Sequence, residues 1–593
     1  MKNVFEKHGI LKTIGVVFDI IGILLLLCTF SISSETVTTA LGLTGIILVI
    51  LGTYSIMLKN IKEKHTNLGF TGSVLIVLSL ILVAISVYIT NGNSDLLDAN
   101  MAIILIGALL FIVGGFMLSL TAKEHRLAKS LLVIILATIL LTWLVPYGYF
   151  SGSDFYEYGM QRIGIMDVSV AMYNALYYSV DKIVFLFVVA GFYGVLSKVS
   201  GYQKLVSSLA KKFTKHPILV SVIMSVFLFV LTSLLNQTLI VMLFIPLFIS
   251  ILLNMNIDKL TAFAITFGSA LVGILGATYG TEDLTMFNYY VKLDITIGLT
   301  YRFIIAAVAL VLYNFFICMR LKKVLAEEKN DTKNADIEDD PFKIEVPKKK
   351  VSAIPAAIVL FVLAIVAILC HIAWNTNFGI TAFAEFHDWL IELAPTEDFQ
   401  IISYILGNSA TAFGEYTYVF ALCFVVVLAG ILVAYLYKMK LNDFMEAFYN
   451  GTKKIFKPIV YIVAVYLVFG LCYNTPFVAA ITNWMYNLVE GFNPYLTSVM
   501  AFITSIFHND LGYTSFTVGS FLTSVYATNI DLVHAIYTSM YGIVQIFMPT
   551  SFMLVLGLSL MKLDYKSWFK YIWMFVVGMV IILLVLFTVV TYI

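Results

Sequence analysis

The sequence predicts an all-α polytopic membrane protein with inverted structural repeats. Of its 593 residues, 61% are hydrophobic and only 12% are charged, whereas about a quarter of the residues in a soluble globular domain are charged. Apolar runs of about 20 residues recur along the chain, and a helix of that length crosses about 30 Å of hydrocarbon. The two halves of the chain also share polar landmarks at a constant spacing, which indicates an internal duplication.

The first 125 residues form a separate group of apolar segments. The segments lie at about 12–32, 38–58, 69–89 and 101–121. The links Lys59–His65 and Lys123–Lys129 are basic, so the positive-inside rule places the N-terminus in the cytoplasm of a multi-pass protein of the plasma membrane. We expect the range 1–125 to be an accessory four-helix transmembrane block, because its composition suggests no chemistry.

The remainder divides into two halves joined by a polar linker at 321–350. This linker is rich in charged residues and is expected in the cytoplasm. The range 126–320 would form the first transporter repeat, and 351–593 a connecting helix with the second repeat. Apolar segments are predicted at about 127–147, 180–197, 352–373, 416–437, 458–474, 532–558 and 571–592.

The internal repeat rests on four pairs of residues that are 273 positions apart. Asn236, Asn256, Ile257 and Asp258 correspond to Asn509, Asn529, Ile530 and Asp531. In each half an apolar arm opens at a proline, Pro217 or Pro494, before the landmarks. In each half an apolar segment is broken about 20 residues after them, at Gly276–Gly280 or Pro549–Ser551.

The arms on either side of each polar tip are too short to make two comfortable spans, so each pair predicts a re-entrant helical hairpin, at about 217–254 and 494–528. The first hairpin follows the basic loop Lys198–Lys215 and would enter from the cytoplasm. The second follows the acid-bearing stretch Thr475–Pro494 and would enter from outside. Inverted repeats with broken helices are typical of secondary transporters, because two oppositely oriented halves can exchange roles between inward-open and outward-open states.

Other classes of membrane protein fit less well. The chain contains no His-Glu-x-x-His helix, Gly-x-Ser-x-Gly elbow, Walker loop or cysteine-based metal site, so we expect no enzyme activity. A channel is disfavoured because two different half-sites in one chain suit alternating access better than a symmetric pore. The balanced net charge of +1 suggests no nucleic-acid partner.

Several local motifs carry a resemblance to a known family. They are TWLVP at Thr142–Pro146, FLFVVAGFYGVLSK at Phe185–Lys198, EAFYNGTKKIFKP at Glu446–Pro458, MPTS at Met548–Ser551 and DYKSWFKY at Asp564–Tyr571. Over about 130–593 the chain resembles the ion transporter superfamily, in its branch of YfcC-like carriers labelled as four-carbon dicarboxylate or basic amino acid transporters. The resemblance implies paired hairpins with a solute site between their tips and the broken helices.

Polar residues at the tips and breaks are the candidate site. Unwound backbone and half-helix N-termini can hold a carboxylate or a cation, and hydroxyl and amide side chains add donors and acceptors. The substrate-binding candidates are Asn236, Gln237, Thr238, Thr278, Tyr279, His508, Asn509, Thr550 and Ser551. The ion-coupling candidates are Gly276, Glu282, Asp283 and Asp510, because acids at membrane depth are kept mostly for ion or substrate pathways.

The sequence shows no basic residue near these acids, which favours a cationic ammonium group on the solute. We therefore expect an ion-coupled symporter or exchanger of a small amino acid, with a basic amino acid included, and keep a Na⁺- or H⁺-coupled carrier of dicarboxylates or other small organic anions as the alternative. The coupling ion would be Na⁺ or H⁺, with no other cofactor or metal. The expected partners are the small-molecule solute and the lipid bilayer, and a homodimer is an allowed assembly.

The inverted topology predicts opposite sidedness for two loop positions. A cysteine placed at Ser207 should react with a membrane-impermeant thiol reagent from the cytoplasmic side, and one at Asn487 from the outside, because these positions precede the two hairpins. Labelling in intact cells and in inverted vesicles measures both. Reaction of both positions from the same side would rule out the inversion.

Overall fold

A computed structural model describes residues 2–29, 35–64, 67–90, 97–235, 237–280, 282–328, 342, 344, 347, 351–393, 401–407, 410–415, 419–489 and 491–592. Within these ranges, eleven helices are long and apolar enough to cross a membrane. The prediction of a polytopic helical membrane protein is thereby confirmed. The chain forms two compact units, of which the first comprises Met1–Met172, Leu467–Gly491 and Asp564–Lys566, and the second the rest.

The helices before the linker are α1 (Lys2–Cys28), α2 (Glu35–Lys64), α3 (Asn67–Thr90), α4 (Leu97–Thr121), α5 (Arg126–Leu144), α6 (Ile165–Lys198), α7 (Ser200–Phe213), α8 (Pro217–Leu234), α9 (Ile245–Asn254), α10 (Lys259–Phe263), α11 (Ser269–Leu275), α12 (Glu282–Val291) and α13 (Leu299–Glu328). Short strands β1 (Gly148–Ser151) and β2 (Asp154–Glu157) pair antiparallel. A 3₁₀ segment spans Thr238–Leu243, and a π turn, Ala264–Gly268, joins α10 to α11.

The helices after the linker are α14 (Ile354–His371), α15 (Trp374–Phe378), α16 (Ala382–Glu392), α17 (Ile401–Leu406), α18 (Cys423–Leu436), α19 (Leu441–Lys453), α20 (Phe456–Asn474), α21 (Phe477–Tyr486), α22 (Pro494–Phe507), α23 (Leu511–Val525), α24 (Ile530–Phe547), α25 (Phe552–Leu560) and α26 (Tyr565–Tyr592). Of the predicted linker at 321–350, α13 occupies the start, and most of the remainder lies outside the described residues.

In the first unit, the helices of the N-terminal block pack at small residues. A Cβ on Gly72 of α3 would lie 2.6 Å from the carbonyl oxygen of Gly114 on α4. A Cβ on Gly114 would lie 2.6 Å from the carbonyl oxygen of Gly72. Such contacts are typical of helix pairs in membranes, where close backbone approach replaces the hydrophobic effect as the source of attraction. The unit continues to Met172, so the predicted boundary at 125 lies inside it, and the accessory role of the block stays a prediction.

Helix α6 is longer than the apolar segment predicted at about 180–197. It begins at Ile165, where the Asp167 carboxylate accepts a hydrogen bond from the backbone N–H of Gly164 at 2.7 Å. The first half of the helix carries polar and charged residues, which lower its mean hydropathy. Hydropathy alone therefore does not show that the helix begins before the apolar segment. Residues 165–179, which precede the predicted apolar segment, are therefore helical.

In the second unit, the two halves break their helices at equivalent positions. Helix α8 ends at Leu234 and helical structure resumes at Thr238. Helix α22 ends at Phe507 and α23 begins at Leu511, which reproduces the offset of 273 at both ends of the tip. In addition, α8 packs against α11, and α22 packs against α24. The repeat spacing thus reappears in the structure, while the inverted orientation and the re-entrant geometry stay predictions.

The helices that precede the two breaks pack directly against each other. A Cβ on Gly542 of α24 would lie only 2.3 Å from the Cα of Leu275, the last residue of α11. The buried Trp568 of α26 packs between α24 and α10, because its indole N–H donates to the carbonyl of Ile546 at 2.9 Å and its ring lies 4.7 Å from that of Phe263.

Substitution Gly542→Ala should therefore destabilise the second unit. The added methyl group would overlap backbone atoms of Leu275. A backbone atom cannot move away by a change of rotamer, and such overpacking costs about 1–3 kcal/mol. Thermal unfolding of the purified protein in detergent measures the loss. Gly578→Ala on α26 is the matched control, because no atom lies within 4 Å of its added Cβ. Equal melting temperatures for the two variants would contradict the close contact.

Candidate functional site

Ser233, at the end of α8, joins the first tip to the first break. Its carbonyl oxygen accepts hydrogen bonds from the backbone N–H groups of Thr278 at 3.1 Å and Gly280 at 2.9 Å. Its hydroxyl donates to the carbonyl of Gly276 at 2.5 Å, and the Thr278 hydroxyl donates to the Ser233 carbonyl at 3.0 Å. Ser233 therefore satisfies backbone groups of the predicted site residues Gly276 and Thr278, as an apolar environment requires.

Arg302 holds the other side of the same break. This side chain is 2% exposed, and its guanidinium donates to the carbonyls of Thr278 at 2.6 Å and Ile297 at 3.1 Å, and also to Ile295. The planar fork of an arginine suits several carbonyl acceptors at once. Sequence analysis missed Arg302, since a single cation in an apolar run does not reveal its partners.

A charged cluster forms around Lys182, a second residue that sequence analysis missed. Its ammonium nitrogen lies 3.3 Å from a carboxylate oxygen of Glu282 and 3.4 Å from one of Asp181. Lys182 stands 17 residues after the start of α6 and 16 before its end, about 25 Å from either end at 1.5 Å per residue. The cluster therefore lies halfway along a membrane-spanning helix.

The predicted ion-coupling acids belong to this cluster. Glu282 and Asp283 form the first turn of α12, directly after the first break, and Asp510 comes from the second tip. The charge of Asp510 acts on Lys182, on Glu282 and on Asp283. Residues from both repeats thus meet here, because α12 packs against α23.

This arrangement overturns one premise drawn from the sequence. The acids were expected to have no basic residue nearby, and that is wrong, because Lys182 contacts Glu282 directly. The two residues are 100 positions apart in the chain, so their proximity arises only from the packing of α6 beside the first break. The argument for a cationic solute loses its basis.

The second tip contains an acid that caps a helix and an amide side chain without a hydrogen-bond partner among the described residues. Asp510 caps α23, where its carboxylate accepts from the N–H groups of Gly512 at 2.7 Å and Tyr513 at 3.3 Å. Asn509 is 7% exposed, and neither its amide oxygen nor its amide nitrogen has a hydrogen-bond partner among the described residues. Buried amides are normally paired, so Asn509 is equipped to bind a polar group.

The other residues of this tip are held in place by neighbours. His508 is fully buried, and its Nδ1 lies 3.3 Å from the hydroxyl of Thr514. The Tyr541 hydroxyl of α24 donates to the backbone carbonyl of Asn509 at 3.0 Å and also lies beside Asp283. Tyr541 thereby links the tip to the carboxylates of the cluster.

The aromatic residue Tyr466 connects the region of the second break with the cluster. Ser551 caps α25 by accepting from the N–H of Leu554 at 3.3 Å, whereas the buried hydroxyl of Thr550 has no partner among the described residues. The ring of Tyr466, in the middle of α20, lies 6.4 Å from that of Phe552. Tyr466 also interacts electrostatically with Lys182.

The remaining candidates are less closely tied to the cluster. Gln237 is buried at the first tip, and Thr238 opens the 3₁₀ segment with a buried hydroxyl that has no partner in the described part of the chain. Tyr279 packs its ring against Phe303 and Phe378. Asn236 lies outside the described residues. The described hydrogen bonds do not join Thr278 to Asn509 or Thr550, so a single site formed by all four tip and break residues stays a prediction.

A cavity of about 400 Å³ lies beside α6. Its lining extends along this helix from Ser197 to Leu186, and Leu186 is one helical turn from Lys182. Three lysines, Lys454, Lys457 and Lys562, also line it. Anions would be attracted into this cavity, because clustered positive charge raises the local concentration of the opposite charge.

Substitution Asn509→Leu should weaken solute binding by about 1–3 kcal/mol, since the solute or coupling ion would lose a buried hydrogen-bonding partner. Isothermal titration of the purified protein measures the affinity. Asn314→Leu on α13 is the matched control, because the Asn314 amide donates to the Leu310 carbonyl of its own helix at 2.9 Å. Unchanged affinity in the Asn509 variant would exclude this amide from the site.

The sequence matches the family model described as C4-dicarboxylate anaerobic carrier (DcuC) over residues 127–592. None of the curated proteins compared with the chain matches it. The family match covers both tips, both breaks and the cluster around Lys182, and it leaves out the N-terminal block, as the resemblance of local motifs also does. The chain belongs to the C4-dicarboxylate anaerobic carrier family, a family of membrane transporters.

Proposed function

We propose that the protein is a secondary active carrier of C4-dicarboxylates that is coupled to Na⁺ or H⁺ and works by alternating access. The observation that carries this proposal is the position of Lys182, a cation halfway along a membrane helix and in contact with Glu282, which directly follows the first break. A charged residue within a membrane-spanning helix is costly and is kept mostly where a substrate or ion passes. The family match supports the class of solute.

The dicarboxylate alternative now replaces the amino acid as the preferred solute. The preference for an amino acid depended on acids without a basic neighbour, and Lys182 supplies that neighbour. An ammonium can bind one carboxylate of the solute, and the unpartnered amide of Asn509 offers further hydrogen bonds. Assignment to the YfcC-like branch, with its basic amino acid transporters, has no support beyond the motif resemblance.

We propose that the solute reaches the cluster from the cavity beside α6. Its lysines would attract a dianion, and its inner end at Leu186 lies one turn from Lys182. The solute would then meet the second tip, where half of the site is contributed by the other repeat. We place the carrier in the plasma membrane with its N-terminus in the cytoplasm, in agreement with the distribution of basic loops.

Proteoliposomes that contain the full chain should accumulate labelled succinate when a Na⁺ or H⁺ gradient is applied, and should exchange it for unlabelled succinate. Butyrate is the matched control, because it has the same four-carbon chain with one carboxylate instead of two. Butyrate should compete at least about tenfold more weakly, since the loss of one charged hydrogen bond costs about 1.5–3 kcal/mol.

Arginine and lysine provide the second comparison. Neither should compete with labelled succinate if the solute is a dicarboxylate. Saturable counterflow of arginine or lysine without counterflow of succinate would contradict the proposal and restore the amino acid carrier. Conductance that does not saturate would instead indicate a channel.

A further inference from the structure

The ion pair between Lys182 and Glu282 is loose in comparison with a structural ion pair elsewhere in the same unit. The Lys182 ammonium lies 3.3 Å and 3.4 Å from its two carboxylates, whereas charge-assisted hydrogen bonds are usually about 2.7–2.9 Å long. Asp181 is adjacent to Lys182 in the helix, and neighbouring residues on a helix do not face each other. An ammonium has three donors, so Lys182 keeps capacity for another acceptor.

The pair between Arg320 and Asp258 shows what a structural ion pair looks like here. The guanidinium donates to the Asp258 carboxylate at 2.9 Å and to the Thr261 hydroxyl at 2.8 Å. The same carboxylate caps α10 by accepting from the N–H of Thr261 at 3.2 Å. Several short bonds thus hold Arg320 in one position, which is what an anchoring role requires.

The cluster contains more acidic than basic groups. Asp181, Glu282, Asp283 and Asp510 interact electrostatically with Lys182, and four ionised carboxylates with one ammonium would carry a formal charge of −3. A dicarboxylate would add two further negative charges. Repulsion in a medium of low dielectric constant is large, so a dianion can bind beside Lys182 only if cations neutralise part of this charge.

A second observation indicates that a ligand binds at this cluster. The amide of Asn509, next to Asp510 at the second tip, is buried and has no partner among the described residues. Its backbone carbonyl is fixed by Tyr541, which also lies beside Asp283. A buried polar group is therefore available at the point where the carboxylates of both repeats meet.

We propose that a carboxylate of the transported solute displaces Glu282 from Lys182, and that the released Glu282, with Asp283 and Asp510, takes up the coupling cation. Glu282 thus acts as an internal substitute for the solute while the site is empty. This mechanism rests on the proposed dicarboxylate transport and deepens it, because it names the residues that couple the solute to the ion. Solute and cation then strengthen each other's binding by the same factor, as linkage requires.

The groups that face Glu282 define how this exchange depends on pH. They are Asp181 and Lys182 on α6, Asp283 on α12, Asp510 at the second tip and Tyr466 on α20. Tyr541 on α24 faces Asp283 and Asp510. If the cation is H⁺, lowering the pH should strengthen succinate binding, because protonated carboxyls no longer repel the dianion. If the cation is Na⁺, added Na⁺ should do the same at constant pH.

The variant Glu282→Gln tests the exchange directly in proteoliposomes. It mimics the neutralised carboxyl, so accumulation driven by an ion gradient should fall about tenfold or more relative to succinate–succinate exchange by the same variant. Lys182→Gln should lose both activities by about 10- to 100-fold, because the solute carboxylate has no charged partner. Lys182→Arg should restore part of the exchange.

Asp258→Asn is the matched control for a merely structural acid. It should lower the melting temperature through loss of the Arg320 pair and of the helix cap, yet it should leave the ratio of accumulation to exchange unchanged. Accumulation by Glu282→Gln at the wild-type level would overturn the mechanism, as would exchange by Lys182→Gln at the wild-type level.

Measurement of the wild-type protein keeps the test valid even if a variant does not fold. Its affinity for succinate should rise about tenfold or more with either falling pH or added Na⁺. An affinity that depends on neither ion overturns the coupling mechanism while dicarboxylate transport stands. Absence of succinate binding by the wild type under every ionic condition refutes the proposed function itself, and the two failures are thereby distinguished.

Discussion

The second unit depends on the satisfaction of backbone groups where its helices break. A helix that stops within an apolar environment leaves N–H and C=O groups that no water can bond. Ser233 and Arg302 supply partners for these groups at the first break, and Asp510 and Ser551 supply them at the second tip and the second break. These partners are supplied by neighbouring residues, so the chain can unwind there without a large energetic cost, and the unwound segments can present backbone polar groups to a solute.

The same constraint separates residues that build the site from residues that are available to bind. Thr278 and Ser551 were both candidates, but their hydroxyl groups are engaged with the protein backbone. Asn509 and Thr550 are equally buried and have no such partners within the described residues. A polar residue at a break can therefore have either of two roles. Its side chain supports the backbone if it is already hydrogen-bonded to it, and it is available to bind a solute if it has no partner.

The sequence predicted the positions of the tips and breaks because these are local features. Prolines, glycines and the repeated Asn-Ile-Asp turn punctuate the apolar segments, and the helices end at Leu234 and Phe507 with the predicted offset. It could not predict the partners of Glu282 or Thr278, because Lys182 and Ser233 are 100 and 45 positions away. Hydropathy likewise placed the start of α6 too late, since helical structure continues through its polar first half. The preference for an amino acid as the solute rested on the absence of a basic neighbour, and the contact of Lys182 with Glu282 could not be predicted from the sequence for the same reason.

The position of Lys182 also has a consequence for biosynthesis. On insertion scales a lysine at the centre of a membrane helix costs about 2.5–3.5 kcal/mol, and the apolar residues that follow it in α6 must offset that cost as the helix leaves the translocon. Glu282 is synthesised 100 residues later, which corresponds to about 5–20 s of translation at about 5–20 residues per second. During this interval Asp181 is the carboxylate of the cluster that can pair with Lys182. During assembly, α6 is therefore inserted into the bilayer before Glu282, the second carboxylate partner of Lys182, has been synthesised.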